Sequence, residues 1–294
     1  MCNIDSARDT LSFAEAPVAF IGAGNLAWSL ASGIIAAGVV SPANLRVTNR
    51  RDDVHLGRFA ALGATTGRNL EELLLGVATV VLLFKPADAA DALGVLKGRL
   101  RQGTLLISAV AGLPIEYIRS AVGQGVQIVR AMPNTASEIR LAATAISASA
   151  ATPAQCLEWA GQLFGAVGSV HHVPEAALDA VTAVSGSGPA YVYYFAELLI
   201  EAAKAAGLGP LLAHALAIET LAGAAAMLNQ PGADPAVLKA RVASPRGTTE
   251  AGLAALTDLG MGNAVHAAVR TAAARSREIS AVFAQPVAGQ VQGN

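Results

Sequence analysis

Short, strongly apolar runs alternate along the chain with longer stretches in which apolar residues recur every three or four positions. The β-branched and aromatic run "PVAFIGAG" ends in glycines and predicts a first strand. "NLAWSLASGIIAAG" follows with helical spacing and stops at Gly38. "LRVTNR" predicts a second strand and "VHLGRFAALG" a helix leading to Ala64. "ATVVLLF" reads as a fully apolar strand broken by Lys85-Pro86. Then come "ADAADALGVLKGRL" as helix, "TLLISAV" as strand, "PIEYIRSAV" as helix and "VQIVRAMP" as strand. "LAATAISAS" reads as one more strand, "PAQCLEWAGQLFGAVG" as a helix, and "SVHHV" as the strand that closes the sheet. Apolar strands separated by helices indicate βαβ units and a parallel sheet covered on both faces.

The pattern changes after about residue 173. From Glu175 to about Phe283 no strand signal survives, and long helices alternate with the loops "GSGP", "GLGP", "NQPGADP", "SPRGTT" and "LGMGN". The expected fold class is therefore α/β followed by all-α. Residues 1–16 are expected to form a loose tail, 17–173 the α/β domain, 174–283 the helical domain and 284–294 a frayed end. No internal repeat is visible.

Composition sharpens this picture. Hydrophobic residues make up 53% and charged residues 14% of the 294, so a sizeable core is possible. The excess is mostly alanine and leucine, which suits close-packed helices carrying more apolar surface than one chain hides; self-association is expected. A net charge of -1 implies neither a nucleic-acid nor an anionic-membrane partner. Cys2 and Cys156 form no disulfide framework and have no metal-ligand spacing. The N-terminus lacks the apolar region of a signal peptide. The longest strongly apolar run, near "LLLGVATVVLLF", falls short of the roughly 18 residues a membrane span needs. A cytoplasmic protein in a reducing compartment is expected.

Gly22-Ala23-Gly24-Asn25-Leu26-Ala27 follows the first strand and opens a helix, which fits a G-x-G-x-x-G/A dinucleotide fingerprint in its required context. Gly22 permits the tight turn, and Gly24 admits a pyrophosphate to the helix N-terminus beside Asn25 and Leu26. The α/β domain is thus expected to be of the Rossmann type. After the second strand, an acid usually holds the ribose 2′-hydroxyl of NADH; here Thr48, Asn49, Arg50 and Arg51 stand instead. Arginine takes a 2′-phosphate by charge-assisted bonds, so NADPH is expected as cofactor, with NADH as the lesser possibility. Asp52 and Asp53 are read as caps of the next helix. Phe84-Lys85-Pro86 and Ser108-Ala109-Val110-Ala111-Gly112 follow later strands, where an open parallel sheet binds ligands; Lys85 reads equally as a surface charge. Ser185-Gly186-Ser187-Gly188-Pro189 precedes a helix, with Pro189 suited to its first position and the free N–H groups to an anion.

These segments resemble the pyrroline-5-carboxylate reductase family. The resemblance runs from about residue 17 to about 280 and is carried by "FIGAGNLA", "TNR", "FKP", "SAVAGL", "RAMPNT", "VSGSGPAYVYYFAE", "ETLAGAAAML" and "SPRGTTEAGL". It implies a Rossmann-type domain, a helical dimerisation domain, and NAD(P)H-dependent reduction of a cyclic imine. It also implies an active site where the nicotinamide meets the partner subunit's helical domain, and a dimer often assembled into a decamer. The chain departs from the family pattern at Ala136, at Arg140 and Ala142 where glycines are usual, at Glu219 for glutamine, and at Arg246 within the usual Pro-Gly-Gly.

Imine reduction needs a proton for the nitrogen and a fixed carboxylate, while hydride chemistry belongs to the cofactor. No His, Cys or Lys constellation offers acid–base chemistry, and His171-His172 reads as strand or boundary structure. By the resemblance, Thr249 is the proton donor, and Ser244, Gly247, Thr248 and Thr249 bind the substrate. No metal is expected. Arg246 leaves a different cyclic imino acid open as substrate. A β-hydroxyacid dehydrogenase would need a helical-domain lysine, but Lys204 and Lys239 lack its surrounding motif. A cofactor-binding oligomer without a substrate site is the non-enzymatic alternative.

Overall fold

The computed structural model describes residues 13–50 and 53–284. Cys2, Arg51, Asp52 and most of the two expected tails lie outside the described residues. An eight-stranded sheet has the order β3-β2-β1-β4-β5-β6-β7-β8. Its strands are β1 Val18–Ile21, β2 Leu45–Thr48, β3 Thr65–Thr66, β4 Thr79–Leu82, β5 Leu105–Ser108, β6 Gln127–Met132, β7 Ala142–Ala148 and β8 Gly168–His172. The pairs among β1 to β6 are all parallel. The order 3-2-1-4-5-6 puts a topological switch point between β1 and β4. Every residue of β1, β4 and β5 is buried, which is why these strands read as unbroken apolar runs.

The expectation of an all-parallel sheet is corrected at one edge. β7 runs antiparallel to β6, with Val129 opposite Ala148 and Met132 opposite Ala145, while β8 is parallel to β7. The connection between β6 and β7 holds just a 3-10 turn, Thr135–Ile139, which is too short for the crossover that parallel strands require. The two-residue β3 was not expected, since Thr65-Thr66 is too short to show a period.

Helices α1 Asn25–Ala36, α2 Asp53–Ala61, α3 Leu70–Leu74, α4 Ala89–Leu96, α5 Ile115–Val122 and α6 Ala154–Gly165 clothe the sheet. Alternate residues of each strand feed two separate cores. Val18 and Phe20 pack with Leu30, Ile34, Phe59, Leu163 and Phe164, while Ala19 and Ile21 pack with Leu93, Leu96 and Ile118. Period-two alternation thus sends α1, α2 and α6 to one face and α4 and α5 to the other.

The chain divides into two compact units. The first takes in residues up to Gly186 and those from Ala272 onward; the second is Ser187–Thr271. Residues 172–174, where the sequence predicts a boundary, mark the end of β8. The compact units divide later because the following residues are tied to the sheet. Glu175 Oε1 accepts bonds of 2.9 Å from the Ile115 N–H and from Arg130 Nη1. Ser185 Oγ donates to the Ala143 carbonyl at 3.1 Å. Between them lies α7 Leu178–Val181. The late part of the last helix rejoins this unit: Ser276 Oγ donates to Asp179 Oδ1 at 2.6 Å, and Phe283 lies 5.0 Å from Tyr117.

The second unit contains α8 Gly188–Ala205, α9 Pro210–Leu228, α10 Pro235–Val242, α11 Thr248–Asp258 and the start of α12 Met261–Ala284. Its buried residues are Ala196, Ala213 and Ala217, small side chains that let α8 and α9 approach closely. Large apolar residues are exposed instead, Leu211 at 90% and Leu259 at 86%. The expectation that no segment reaches the length of a membrane span is corrected here. α9 has 19 residues and a mean hydropathy of 1.7 in its most apolar stretch, long and apolar enough by length and composition. Glu219 and His214 interrupt the apolar run in the sequence without lowering its average below that of a span.

Candidate active site

The ends of four strands, β1, β2, β4 and β5, are tied together on the carboxyl edge of the sheet. The Gly22 N–H donates to the Thr48 carbonyl at 2.8 Å, the Leu83 N–H to Ile21 at 2.9 Å, and the Ala109 N–H to Leu82 at 3.0 Å. Gly22 sits at φ +121°, and a Cβ there would lie 2.5 Å from the Leu83 carbonyl oxygen, so both conformation and space demand glycine. Gly24 caps α1 and has open space where a Cβ would stand. The first bond inside α1 runs from the Trp28 N–H to the Gly24 carbonyl at 3.0 Å. The N–H groups of Asn25, Leu26 and Ala27 therefore have no acceptor within the helix. No side chain caps them, and the first turn holds no acid. Glycine-opened space in front of free N–H groups fits a pyrophosphate.

Around this cradle the structure gathers the other predicted cofactor residues. Asn49 and Arg50 follow β2; Lys85 and Pro86 follow β4, with Lys85 exposed as the cap of the 3-10 turn Pro86–Asp88. Ala109, Ala111 and Gly112 follow β5. Gly112 sits at φ +70°, and a Cβ there would come 2.7 Å from Ile279 Cγ2. Arg50 is not idle: it holds Asp88 at 3.2 Å and Asp91 at 2.9 Å, with all three side chains partly or largely exposed. The two acids on the next crossover were not singled out in the sequence, because nothing in a strand–helix pattern pairs residues some forty positions apart.

The segment Ser244–Thr249 lies in the second unit and joins α10 to α11. Gly247 caps α11, so Thr248 and Thr249 are its first two residues. The Gly247 N–H donates to the Ser244 carbonyl at 3.0 Å, and a Cβ on Gly247 would fall 2.3 Å from Ser244 Oγ. Glycine there lets the serine hydroxyl sit against the backbone. Arg246 is in the left-handed region at φ 59°, its side chain is exposed, and its N–H donates to the Glu250 carboxylate. Glu250 was missed; its place at the third position of α11 is the readable signal. Arg140 is the other non-glycine residue at positive φ, 60°. Both arginines stand where the resemblance has glycine.

The segment Ser185–Pro189 follows directly on a π-helical turn, Thr182–Gly186, and Ser187 has helical angles (φ -86°, ψ -23°). α8 begins at Gly188, so Pro189 is its second residue rather than its first, and no side chain caps it. Ser185 bonds Asn134 Nδ2 at 3.3 Å, linking "MPNT" to "SGSGP". His171 and His172 are exposed on the edge strand β8. Among the described residues no group of three His, Cys, Asp or Glu side chains could hold a metal. Cys156 is buried and free, and burial pushes its thiol pKa up.

Residues 175–279 match a family model described as pyrroline-5-carboxylate reductase dimerisation, and residues 17–112 one described as NADP oxidoreductase, coenzyme F420-dependent. Pyrroline-5-carboxylate reductase 1 of Bacillus spizizenii is 37% identical over 269 residues, 91% of each chain. A solved pyrroline-5-carboxylate reductase from Coxiella burnetii is 34% identical and superposes with a TM-score of 0.84, covering 90% of this chain and 98% of that one. A pyrroline carboxylate reductase of Plasmodium falciparum, solved with NADP bound, is 28% identical with a TM-score of 0.80, covering 92% and 100%.

Proposed function

The chain belongs to the pyrroline-5-carboxylate reductase family, and on that premise we propose that it reduces 1-pyrroline-5-carboxylate to L-proline with NADPH, the last step of proline biosynthesis. The observation that carries the cofactor half is the uncapped start of α1 facing the open space at Gly24. Asn25, Leu26, Asn49, Arg50, Lys85, Pro86, Ala109, Ala111 and Gly112 are the residues that hold the cofactor. When bound, the reduced nicotinamide supplies the hydride. NADH serves in its place less well, for want of a 2′-phosphate.

The substrate half rests on the start of α11. The orphan N–H groups there favour a carboxylate, and Ser244, Gly247 and Thr248 hold it. Fixing the ring by its carboxylate orients the imine carbon, an effect worth several kcal/mol or more, up to about 11. Thr249, half-buried where Thr248 is exposed, donates its hydroxyl proton to the imine nitrogen.

Self-association follows from the dimerisation match and from α8 and α9, which leave large apolar side chains such as Tyr193, Leu211 and Leu212 exposed in the single chain. Such helices need burial on more than one side. We extend this to a dimer that assembles into a decamer and works in the cytoplasm. The apolarity of α9 is that of a dimer core rather than of a bilayer span.

One observation favours a second reading, reduction of a different cyclic imino acid: Arg246 adds a cation to the substrate loop. Steady-state NADPH oxidation with a panel of cyclic imino acids decides between them. Highest kcat/KM on pyrroline-5-carboxylate supports the first reading; a strong preference for a ring with an added or displaced carboxylate supports the second.

A further inference from the structure

A cleft of about 410 Å³ lies in the first unit between α1, α2 and the 3-10 turn after β6. One face of α1 supplies Asn25, Trp28, Ser29 and Ser32, α2 supplies Arg58, and the turn supplies Ser137, Glu138 and Arg140. Apart from Asn25, none of these residues belongs to the cofactor or substrate machinery described above.

Four features of this cleft point the same way. The Arg58 guanidinium carbon sits 4.3 Å over the Trp28 ring, whose edge is braced by Phe59 at 5.5 Å. Stacking on the ring restrains the guanidinium without using up its N–H donors. Arg58 has no carboxylate partner among the described residues. Arg140 holds a left-handed conformation, φ 60°, that strains any residue with a Cβ; strain of that kind gathers at ligand sites. Ser32 Oγ at the wall is shielded from solvent and has no hydrogen-bond partner, and such a group calls for a ligand or other partner. Two guanidiniums and one carboxylate, that of Glu138, line the cleft, so it carries a net positive charge.

We propose that this cleft binds a small organic or inorganic oxyanion, a carboxylate or a phosphate, held by Arg58 and Arg140 and walled by Trp28. The Arg58 fork matches either group in a bidentate manner. Glu138 at the rim disfavours bulky polyanions and tolerates a ligand that also carries an ammonium group. The cleft adjoins the phosphate-binding start of α1 at Asn25, whose free N–H belongs to the cofactor; Arg58 and Arg140 belong to the cleft alone.

Calorimetric titration tests this with inorganic phosphate and, separately, with succinate and with glutamate. Each titration is run with and without saturating NADP+, which fills the phosphate sites of the cofactor. At least one probe is expected to bind with NADP+ present, with a dissociation constant of about 1 mM or lower; which one binds tells phosphate from carboxylate. Arg58→Gln and Arg140→Gly should each weaken that probe by about tenfold to a hundredfold, as loss of a charge-assisted bond does. NADP+ affinity and turnover should remain at parent level. Arg140→Gly removes backbone strain, so it folds even where Arg58→Gln does not. No binding of any probe at 10-fold higher concentration (about 10 mM), binding abolished by NADP+, or unchanged affinity in Arg140→Gly overturns the proposal. Failure of NADP+ itself to bind would count against the reductase reading instead, and the cofactor-free titrations would still decide this one.

Discussion

The Glu250 carboxylate accepts a hydrogen bond from the backbone N–H of Arg246, four residues earlier in the chain. This bond closes the loop that carries Ser244, Gly247, Thr248 and Thr249 into α11. Glu250 is therefore a positioning residue. Glu250→Ala should raise KM for pyrroline-5-carboxylate by about fivefold to tenfold, in line with roughly 1 kcal/mol for a lost hydrogen bond, with a smaller effect on kcat. Glu250→Gln should restore most of the loss. Equal kinetics in parent and alanine variant would remove Glu250 from the account.

Arg140 and Arg246 both occupy left-handed backbone where glycine is at ease. Arg140→Gly and Arg246→Gly should each stabilise the protein by about 1 kcal/mol, read as a raised unfolding midpoint at fixed protomer concentration. With its side chain exposed, Arg246→Gly should leave kcat/KM on pyrroline-5-carboxylate at the parent value. A large gain in that rate would show that the arginine selects another substrate.

The ion pairs of Arg50 with Asp88 and Asp91 set up a test of cofactor choice. Exposed pairs of this kind are worth about 0–1 kcal/mol, so a 2′-phosphate with its larger charge displaces them. Arg50→Glu should weaken NADPH by tenfold or more, about 1.4 kcal/mol, and NADH much less. Asp91→Asn should tighten NADPH about twofold to fivefold, since one competing carboxylate is gone. Equal effects on both cofactors would separate Arg50 from the 2′-phosphate.

Thr249→Val keeps the shape of the side chain and removes the hydroxyl. Turnover should fall by about tenfold to a thousandfold, the range of a lost general acid or transition-state bond. NADPH affinity should stay at the parent value, because the hydroxyl is assigned to the imine nitrogen alone. A variant at full speed would end the proton-donor role.

The sheet was legible in the sequence where one strand's own pattern decides the matter. The buried runs of β1, β4 and β5 announce themselves, and so does the glycine turn after Ile21, because those signals are local. The direction of β7 is not written in "LAATAISAS"; it comes from the short connection before it. The compact division at Gly186 depends on Glu175 and Ser185 bonding back to the sheet, contacts between residues far apart in sequence. In the site, Gly22 and Gly24 were readable from turn chemistry. The pairing of Arg50 with Asp88 and Asp91, and the stacking of Arg58 on Trp28, were not, since each joins separate crossovers. Arg246 stood out as a departure in sequence, but its left-handed backbone and its bond to Glu250 needed coordinates.

Transfer of hydride from NADPH to the imine carbon of pyrroline-5-carboxylate is read by incubating the purified protein with pyrroline-5-carboxylate and NADPH deuterated at the transferable C4 position, then identifying the product by mass spectrometry and NMR. L-proline with a single deuterium on the former imine carbon is expected, formed in step with NADPH loss. Absence of proline, or unlabelled proline, would contradict it.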